Sequence, residues 1–444
     1  MDRGNAIEET FAGWLYRPYF DLGNWRASGN PHTKGLMLAR DSMLDRDDHA
    51  RLHTTILPSA RHAIIRHTGL SRYLVDDPHD LDLDLRTPAW QMMCDQLVGF
   101  DGLGHAAQSR VLWLLHRLSM HSAIVAQVPE PRSYPEIMSA NEAAVWFIRA
   151  QAGLSLYRDG KGPLSLTELE HVVKAAPAGC WARIEATYLL AQFYAKHQGG
   201  NASALNYYLS LHSDQIVWSS VQGHEFHKLM SRYYRLEAFV PQLLGDHKAM
   251  TASLDLAEHH CESLASRTES ERAEWHLLRS SLYETRTKEK LLLGRLDEAL
   301  DYAEALVRLT PADPHPRLEL GEVQVAMGAY RAAVDSYRWA ALLGPHVVPV
   351  AEFMIGQCAE AMGDGRAARI ALMRSLAADP LAISSASRLA NLHGTDDSDR
   401  TGLSDWVQGR LAELRVADDG TADRLHAYQR YDGALGQDVP ASGN

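Results

Sequence analysis

Apolar residues recur at helical spacing through the second half of the chain, most clearly in residues 320–345, "LGEVQVAMGAYRAAVDSYRWAALLGP". They return every three or four positions, which places them on one face of an α-helix. Met327-Gly328 interrupts the pattern once, and Gly344-Pro345 ends it. Glycine tolerates the positive φ that ends a helix, and proline cannot continue one. The stretch therefore predicts two helices joined by a tight turn.

The markers of this helix pair recur at a nearly constant interval on both sides. Each set has a glycine in the turn, an alanine five residues later and a proline at the end, and successive sets lie 34 and 35 residues apart. The three sets are Gly294, Ala299 and Pro311; Gly328, Ala333 and Pro345; and Gly363, Ala368 and Pro380. One helix pair cannot bury its apolar face alone, whereas stacked pairs can. The period thus predicts an array of helical repeats.

Weaker copies of the pattern lie upstream, between about residues 140 and 280. Two of them have helix-turn-helix patterns around Gly199-Gly200 and Gly245-Asp246. A third contains Ser165 three residues before Glu168, the spacing of a capping box, in which the serine precedes the first helical residue. These copies extend the predicted array towards the N-terminus.

Residues 280–380 resemble three consecutive tetratricopeptide repeats. The middle repeat matches the family pattern at Leu320, Gly321, Gly328, Ala333, Tyr337, Ala340 and Pro345. The resemblance implies an all-α fold, a right-handed helical-repeat solenoid in which the first helix of each pair lines a concave groove. It also implies binding of a protein or peptide partner in that groove.

The resemblance places specific residues in this predicted groove, at four positions of each first helix. The candidates are Glu284, Lys288, Leu291, His315, Leu318, Glu322, Val325, Val350, Phe353, Gln357 and Glu360. Glutamates beside apolar side chains suit an apolar peptide that carries basic residues. The alternative that the chain's own terminal helices fill the groove stays open.

Three regions follow from these patterns. Residues 1–135 do not show the repeat and are predicted to form an N-terminal helical region, either a separate domain or a degenerate start of the array. Residues 136–395 are predicted to form the repeats. Residues 396–444 are predicted to form capping helices and a disordered tail, because repeat arrays need a polar outer face at each end.

The charge balance of the chain disfavours several classes of partner. The 444 residues contain 44 Lys and Arg against 56 Asp and Glu, a formal net charge of −12. A negative chain without a basic run repels nucleic acid. No signal peptide or membrane span is expected, and four scattered cysteines suit a reducing cytosol. We therefore expect a cytoplasmic protein without nucleic-acid or membrane partners.

Histidine is abundant, with 22 residues, so metal sites need to be considered. The candidates are His49, His53, His62, His67, and the two histidines His224 and His227 of "HEFH". A zinc protease helix needs histidines four apart, whereas "HEFH" has them three apart. In "AEHHCE", residues 257–262, adjacent helical side chains point about 100° apart and cannot converge on one ion. No metal and no cofactor are therefore predicted.

Two functions from different classes remain. The favoured one is an adaptor or scaffold whose repeats capture a partner segment. The alternative is an accessory or peptide-modifying enzyme of a bacterial specialised-metabolite pathway, with a metal or cofactor in residues 1–135 and substrate recruitment by the repeats. A repeat-bearing regulator with a DNA-binding helix is disfavoured by the charge. No local motif assigns catalytic residues.

Overall fold

The computed structural model describes most of the chain between residues 77 and 392. It covers 77–128, apart from 87, 106, 109–110, 113–114 and 116–119, and then 143–158, 162–196, 201–264, 269–310, 313–343, 347–379, 382–392 and 405. The histidine candidates His49, His53, His62 and His67 lie outside the described residues. The same holds for nearly all of the predicted capping region 396–444.

The described residues form helices and contain no β-strand. The α-helices are α1 Pro88–Val98, α2 His121–Gln127, α3 Ala143–Arg158, α4 Gly162–Ala175, α5 Trp181–Lys196, α6 Ala202–Ser219, α7 Gly223–Glu237 and α8 Phe239–Leu243. They continue with α9 His247–Glu262, α10 Glu269–Leu292, α11 Leu296–Leu309, α12 His315–Ala326, α13 Tyr330–Leu343, α14 Val348–Ala361, α15 Gly365–Ala378 and α16 Ile383–Leu392. This confirms the all-α prediction.

Consecutive helices pack in pairs, α3 with α4, α5 with α6, α7 with α9, α12 with α13, and α14 with α15. The turns of the last three pairs contain Gly245, Gly328 and Gly363, whose φ angles are +77°, +73° and +76°. An L-residue with a Cβ is strained there, so glycine ends the helix that precedes each of these turns, which is α8, α12 or α14. The predicted helix-turn-helix repeats are confirmed in these pairs.

The two helices of the middle repeat approach closely because Gly321 has no side chain. A Cβ at this position would lie 2.4 Å from Cε1 of Tyr337, whose side chain is fully buried between α12 and α13. The repeat that follows uses Gly356 against Leu372 in the same way, at 2.9 Å from Cγ. Ala333 and Ala368 are also fully buried, as their place in the repeat predicts.

The described residues fall into two compact units. The first ends at Gly294 and also includes Arg308–Pro311, of which 308–310 are described; the second contains the remaining residues from Arg295. Within the first unit, α2 packs against α3. Contacts therefore cross the boundary that the sequence places at residue 135.

Two local predictions are corrected by the structure. Ser165 does not begin a helix, because α4 already starts at Gly162 with Pro163 in its first turn, where a missing N–H costs nothing. The Ser165 hydroxyl instead donates to the Gly153 carbonyl at 2.7 Å, and Glu168 binds Arg149. Helix α10 has 24 residues, twice the dozen or so that a period of 34 to 35 residues predicts for each helix of a pair.

None of the helices in the described residues combines the length and the apolar character that a membrane span requires.

A buried histidine of α6 makes the stability of the first unit depend on pH. His212 is fully buried, with Nδ1 3.1 Å from the Ile184 carbonyl oxygen and 3.0 Å from Thr187 Oγ1. Burial, and then the charge of Arg232, lowers its pKa from 6.5 to about 4. The unfolded chain therefore takes up this proton at a higher pH than the folded chain.

We expect the unfolding free energy to fall as the pH is lowered from about 6.5 towards 4, and part of this loss to disappear in a His212→Leu variant. Denaturant titrations at several pH values measure it. Replacing the exposed His247 by alanine is the control and should leave the slope unchanged. Equal pH slopes for the wild type and His212→Leu would contradict the assignment.

Candidate partner-binding surface

The predicted groove positions of the second unit divide into accessible and buried residues. His315 is exposed, and its Nδ1 lies 3.1 Å from Oδ1 of Asp313. Glu322 and Val325 are half-buried. These three side chains of α12 are therefore accessible to a partner.

Three other groove predictions need correction, because Leu318, Phe353 and Gln357 are buried. Leu318 and Phe353 belong to the apolar core of the second unit. The guanidinium of Arg388, on α16, lies 5.7 Å from the Phe353 ring centroid. The Gln357 amide is oriented with its oxygen towards Arg388, and this oxygen accepts a hydrogen bond from Arg388 Nη2 at 3.0 Å.

Glu360, one turn after Gln357 on α14, is half-buried and also binds Arg388. Nη1 of Arg388 donates to Oε2 of Glu360 at 2.8 Å. This part of the predicted groove is therefore covered by α16, a helix of the predicted repeat region 136–395. Peptide capture by α14 would require displacing Arg388.

The two charged residues that are predicted to line the groove in the first unit, Glu284 and Lys288, bind each other. Lys288 Nζ donates to Oε1 of Glu284 at 3.1 Å, one turn apart on α10, and both side chains are partly exposed. An exposed pair of this kind contributes about 0.3–0.5 kcal/mol to stability, so a ligand can compete for either partner at little cost.

A cavity of about 590 Å³ lies elsewhere in the first unit, among α6, the C-terminal end of α7, α8 and α9. We call it the α6–α9 cavity. In the chain, the short helix α8 lies between α7 and α9. The Asp246 amide donates to the carbonyl of Pro241, a residue of α8, at 2.8 Å, which closes the turn into α9. The cavity opens beside this turn, and its volume is that of a small-ligand or side-chain pocket.

Apolar side chains form much of the cavity wall. They are Leu209 of α6, Val240 and Pro241 of α8, and Leu244, which is 72% exposed. Beyond the cavity, one turn after Asp214, Val217 and Trp218 of α6 are 74% and 70% exposed. Exposed apolar side chains grouped beside a cavity are typical of an interaction surface.

The polar part of the wall is acidic. Asp214, Glu237 and Asp246 line the cavity, and none of the described lining residues is lysine or arginine. Asp214 is exposed near the end of α6, whereas Asp246 accepts from the Ala249 amide at 2.9 Å and caps α9. The cavity therefore presents carboxylates next to apolar surface.

Glu237 is fixed by its neighbours within the wall. Its carboxylate accepts from Tyr233 Oη at 3.3 Å and from Ser253 Oγ at 3.0 Å. Burial, and then the Glu237 carboxylate, raises the pKa of Tyr233 to about 12, so the phenol keeps its proton and donates. A preorganised carboxylate of this kind binds a cation without first ordering its own side chain.

Sequence reasoning missed this cavity. Its residues belong to the second helices α6 and α9, to the C-terminal end of α7, to α8 and to the turn after α8, and none is among the predicted groove residues. The available signal was local: "QIVWSS" places Val217 and Trp218 together near the end of an otherwise amphipathic helix.

One of the two candidate metal ligands on α7, His227, lies against a histidine of α9. His227 Nδ1 lies 3.0 Å from Nδ1 of His260 on α9, and both side chains are half-buried. His224 lies one turn earlier on α7 and is also half-buried. Within the described parts of the chain, no group of three or more His, Cys, Asp or Glu side chains is placed to hold a metal ion.

No family model matches the chain, and no curated protein matches it. Among solved structures, the chain is similar to a signal transduction ATPase with numerous domains (STAND protein) with a tetratricopeptide repeat sensor from Pyrococcus horikoshii. The identity is 11%, the TM-score is 0.47, and the match covers 81% of this chain and 54% of that one. The chain thus spans about half the length of that protein.

The names of two further similar structures each include a second component. The first is the APC/C hetero-tetramer Cut9–Hcn1, at 14% identity and a TM-score of 0.32, with 91% of this chain and 75% of that chain covered. The second is the TPR2AB domain in the pHSP90 complex of yeast Sti1, at 12% identity and a TM-score of 0.22, with 60% and 99% covered. The repeat assignment itself depends on the contacts within this chain, above all the turn glycines and the Gly321–Tyr337 packing.

Proposed function

We propose that the chain is a protein-binding scaffold, and that the α6–α9 cavity takes a segment of the partner with a lysine or arginine next to apolar side chains. The observation that carries the proposal is the combination of a 590 Å³ cavity, an apolar wall and three carboxylates in one place. A cation is attracted by the carboxylates, while apolar neighbours gain about 25 cal/mol for each Å² removed from water.

The net charge of −12 supports the same class of partner, because a basic segment is attracted to the whole molecule before it reaches the cavity. The accessible groove positions of α12, His315, Glu322 and Val325, give the scaffold a second acidic and apolar surface for the partner. The enzyme alternative would depend on residues 1–135, and no described contact favours it.

The proposal is tested with a positional-scanning decapeptide library on the full-length chain. We expect the wild type to select lysine or arginine flanked by apolar residues, and Asp214→Lys to weaken binding of the selected peptide about tenfold, a loss of about 1.4 kcal/mol. Asp214 suits the test because it is exposed, whereas Asp246 caps a helix and Glu237 is held by Tyr233.

The matched control is Asp301→Lys, which makes the same charge change at an exposed helical position of α11 in the second unit. It should change the affinity much less than Asp214→Lys, apart from the general effect of charge, which salt screens. Equal losses from both variants would show that net charge alone attracts the peptide, and would exclude the α6–α9 cavity as the site.

A further inference from the structure

Two histidine-containing stretches that carry no metal motif by themselves meet between α7 and α9. His227 belongs to "HEFH" and His260 to "AEHHCE", and the two Nδ1 atoms lie 3.0 Å apart. The ring centroids are 5.1 Å apart with an angle of 44° between the planes. Adjacent residues of one helix cannot converge on an ion, but residues of two packed helices can.

Aromatic neighbours hold the two imidazoles in place. The Tyr234 ring stacks on His260 with an angle of 16° and a centroid distance of 5.6 Å. Phe226 lies against His227 and His260 with centroid distances of 5.7 and 5.8 Å. Because these contacts limit rotation of the rings, the two nitrogens are preorganised towards each other.

The 3.0 Å distance is that of a hydrogen bond between the two rings, so one of the two Nδ1 atoms carries a proton in the metal-free protein. A bound metal takes the place of that proton, since a protonated nitrogen has no lone pair to donate.

We propose that His227 and His260 form a two-nitrogen site for copper(II). Ligands about 2.0–2.1 Å from a metal lie ~2.9 Å apart at the right angle of a tetragonal site and ~3.4 Å apart in a tetrahedron. The two nitrogens, 3.0 Å apart, are close enough to occupy neighbouring corners of a tetragonal site, and copper(II) is the divalent first-row metal that nitrogen ligands bind most tightly.

The remaining coordination positions are open to water or to a further side chain. His224 lies three residues before His227 on α7, and side chains at that spacing are neighbours on a helix surface. The proposed site needs only the two converging nitrogens, and it is independent of the α6–α9 cavity and of the proposed scaffold function.

The test uses the purified full-length chain and one equivalent of copper(II) sulfate, with affinity measured by competition against iminodiacetate. We expect electron paramagnetic resonance to show nitrogen coupling from two imidazoles on a tetragonal copper. His227→Ala and, separately, His260→Gln should weaken the tightest binding by at least 10- to 100-fold, since even loss of an outer-shell partner has that effect. Zinc sulfate should bind more weakly than copper, as it does at most nitrogen sites.

Two controls make the result decisive. His247→Ala changes an exposed histidine at the other end of α9. A variant with alanine at His49, His53, His62 and His67 removes the four candidate metal ligands that the sequence places before α1. Both should keep the tightest site. Circular dichroism shows whether each variant is folded, and His260→Gln keeps a hydrogen-bonding side chain if His227→Ala unfolds the pair. The proposal is wrong if copper binds His227→Ala and His260→Gln as tightly as the wild type. It is also wrong if only the fourfold variant loses copper binding. In either case the site is not at His227 and His260 and the copper is adventitious.

Discussion

Replacing Arg149 by methionine is expected to lower the unfolding free energy of the protein by about 3–5 kcal/mol. The Arg149 and Glu168 side chains are only 1% and 2% exposed, and Nη1 lies 3.1 Å from Oε1. Burial raises the pKa of Glu168 despite the opposing effect of Arg149. Without the guanidinium, a carboxylate is left without its counter-charge between α3 and α4, and this is the costly situation for a buried ion. Chemical denaturation followed by circular dichroism measures the loss.

Two comparisons separate this cause from a simple packing defect. A variant with both Arg149→Met and Glu168→Met should recover most of the stability, because apolar side chains of similar size replace a buried ion pair at little or no cost. The single Arg149→Met variant should become more stable, relative to the wild type, as the pH falls. Its Glu168 keeps a proton in the folded state at a higher pH than in the unfolded state, so stability is lost as the pH rises. A double variant as unstable as the single one would contradict the explanation.

Gly321→Ala is expected to destabilise the second unit by about 1–3 kcal/mol, although alanine favours helix over glycine by about 1 kcal/mol. The added Cβ would lie 2.4 Å from Cε1 and 2.6 Å from Cζ of the fully buried Tyr337 ring. A rigid ring cannot yield as a flexible side chain does, so α12 and α13 must move apart. Thermal and denaturant unfolding of the full-length chain measure the loss.

The following repeat supplies the internal control for this prediction. At Gly356 the added Cβ would meet Cγ and Cδ2 of Leu372 at 2.9 and 3.0 Å, and leucine can change rotamer. Gly356→Ala should therefore cost less than Gly321→Ala. Combining Gly321→Ala with Tyr337→Leu reproduces the alanine–leucine contact of the Gly356→Ala variant and should recover stability relative to Gly321→Ala. Equal costs at the two glycines would show that ring contact does not set the helix spacing.

The elements that sequence predicted well are those determined within one helix pair. A turn glycine with positive φ, a proline after the second helix and a small residue at the crossing act over a few residues, so their period predicts the pairs α12–α13 and α14–α15. The close contact of Gly321 with Tyr337 belongs to the same class, because both residues lie in one repeat.

The features that sequence did not predict depend on packing between elements. Phe353 is buried in the apolar core of the second unit, and Gln357 is buried beside Arg388 of a later helix. The repeat pattern carries no information on these contacts. Ser165 has the spacing of a capping box, but its hydroxyl bonds to Gly153 of the preceding helix instead. Tertiary contacts overrode the local signal in both cases.

The two candidate sites show the same limit. The α6–α9 cavity is lined in part by α8, a five-residue helix inserted between α7 and α9 in the chain, and so short a helix leaves no repeat signature. His227 and His260 belong to two stretches that carry no complete metal motif by themselves, and they meet because α7 packs against α9. Residues of two helices that meet in space cannot be paired from one sequence.

The central claim of this account is that a partner segment occupies the α6–α9 cavity, and the affinity of the library-selected peptide for a Ser210→Trp variant tests it most directly. Ser210 is exposed and lines the cavity, so an indole there fills the cavity while the fold is retained. Isothermal titration should show binding reduced at least about tenfold relative to the wild type, with an unchanged circular dichroism spectrum. Undiminished affinity for Ser210→Trp would place the peptide elsewhere and contradict the proposal.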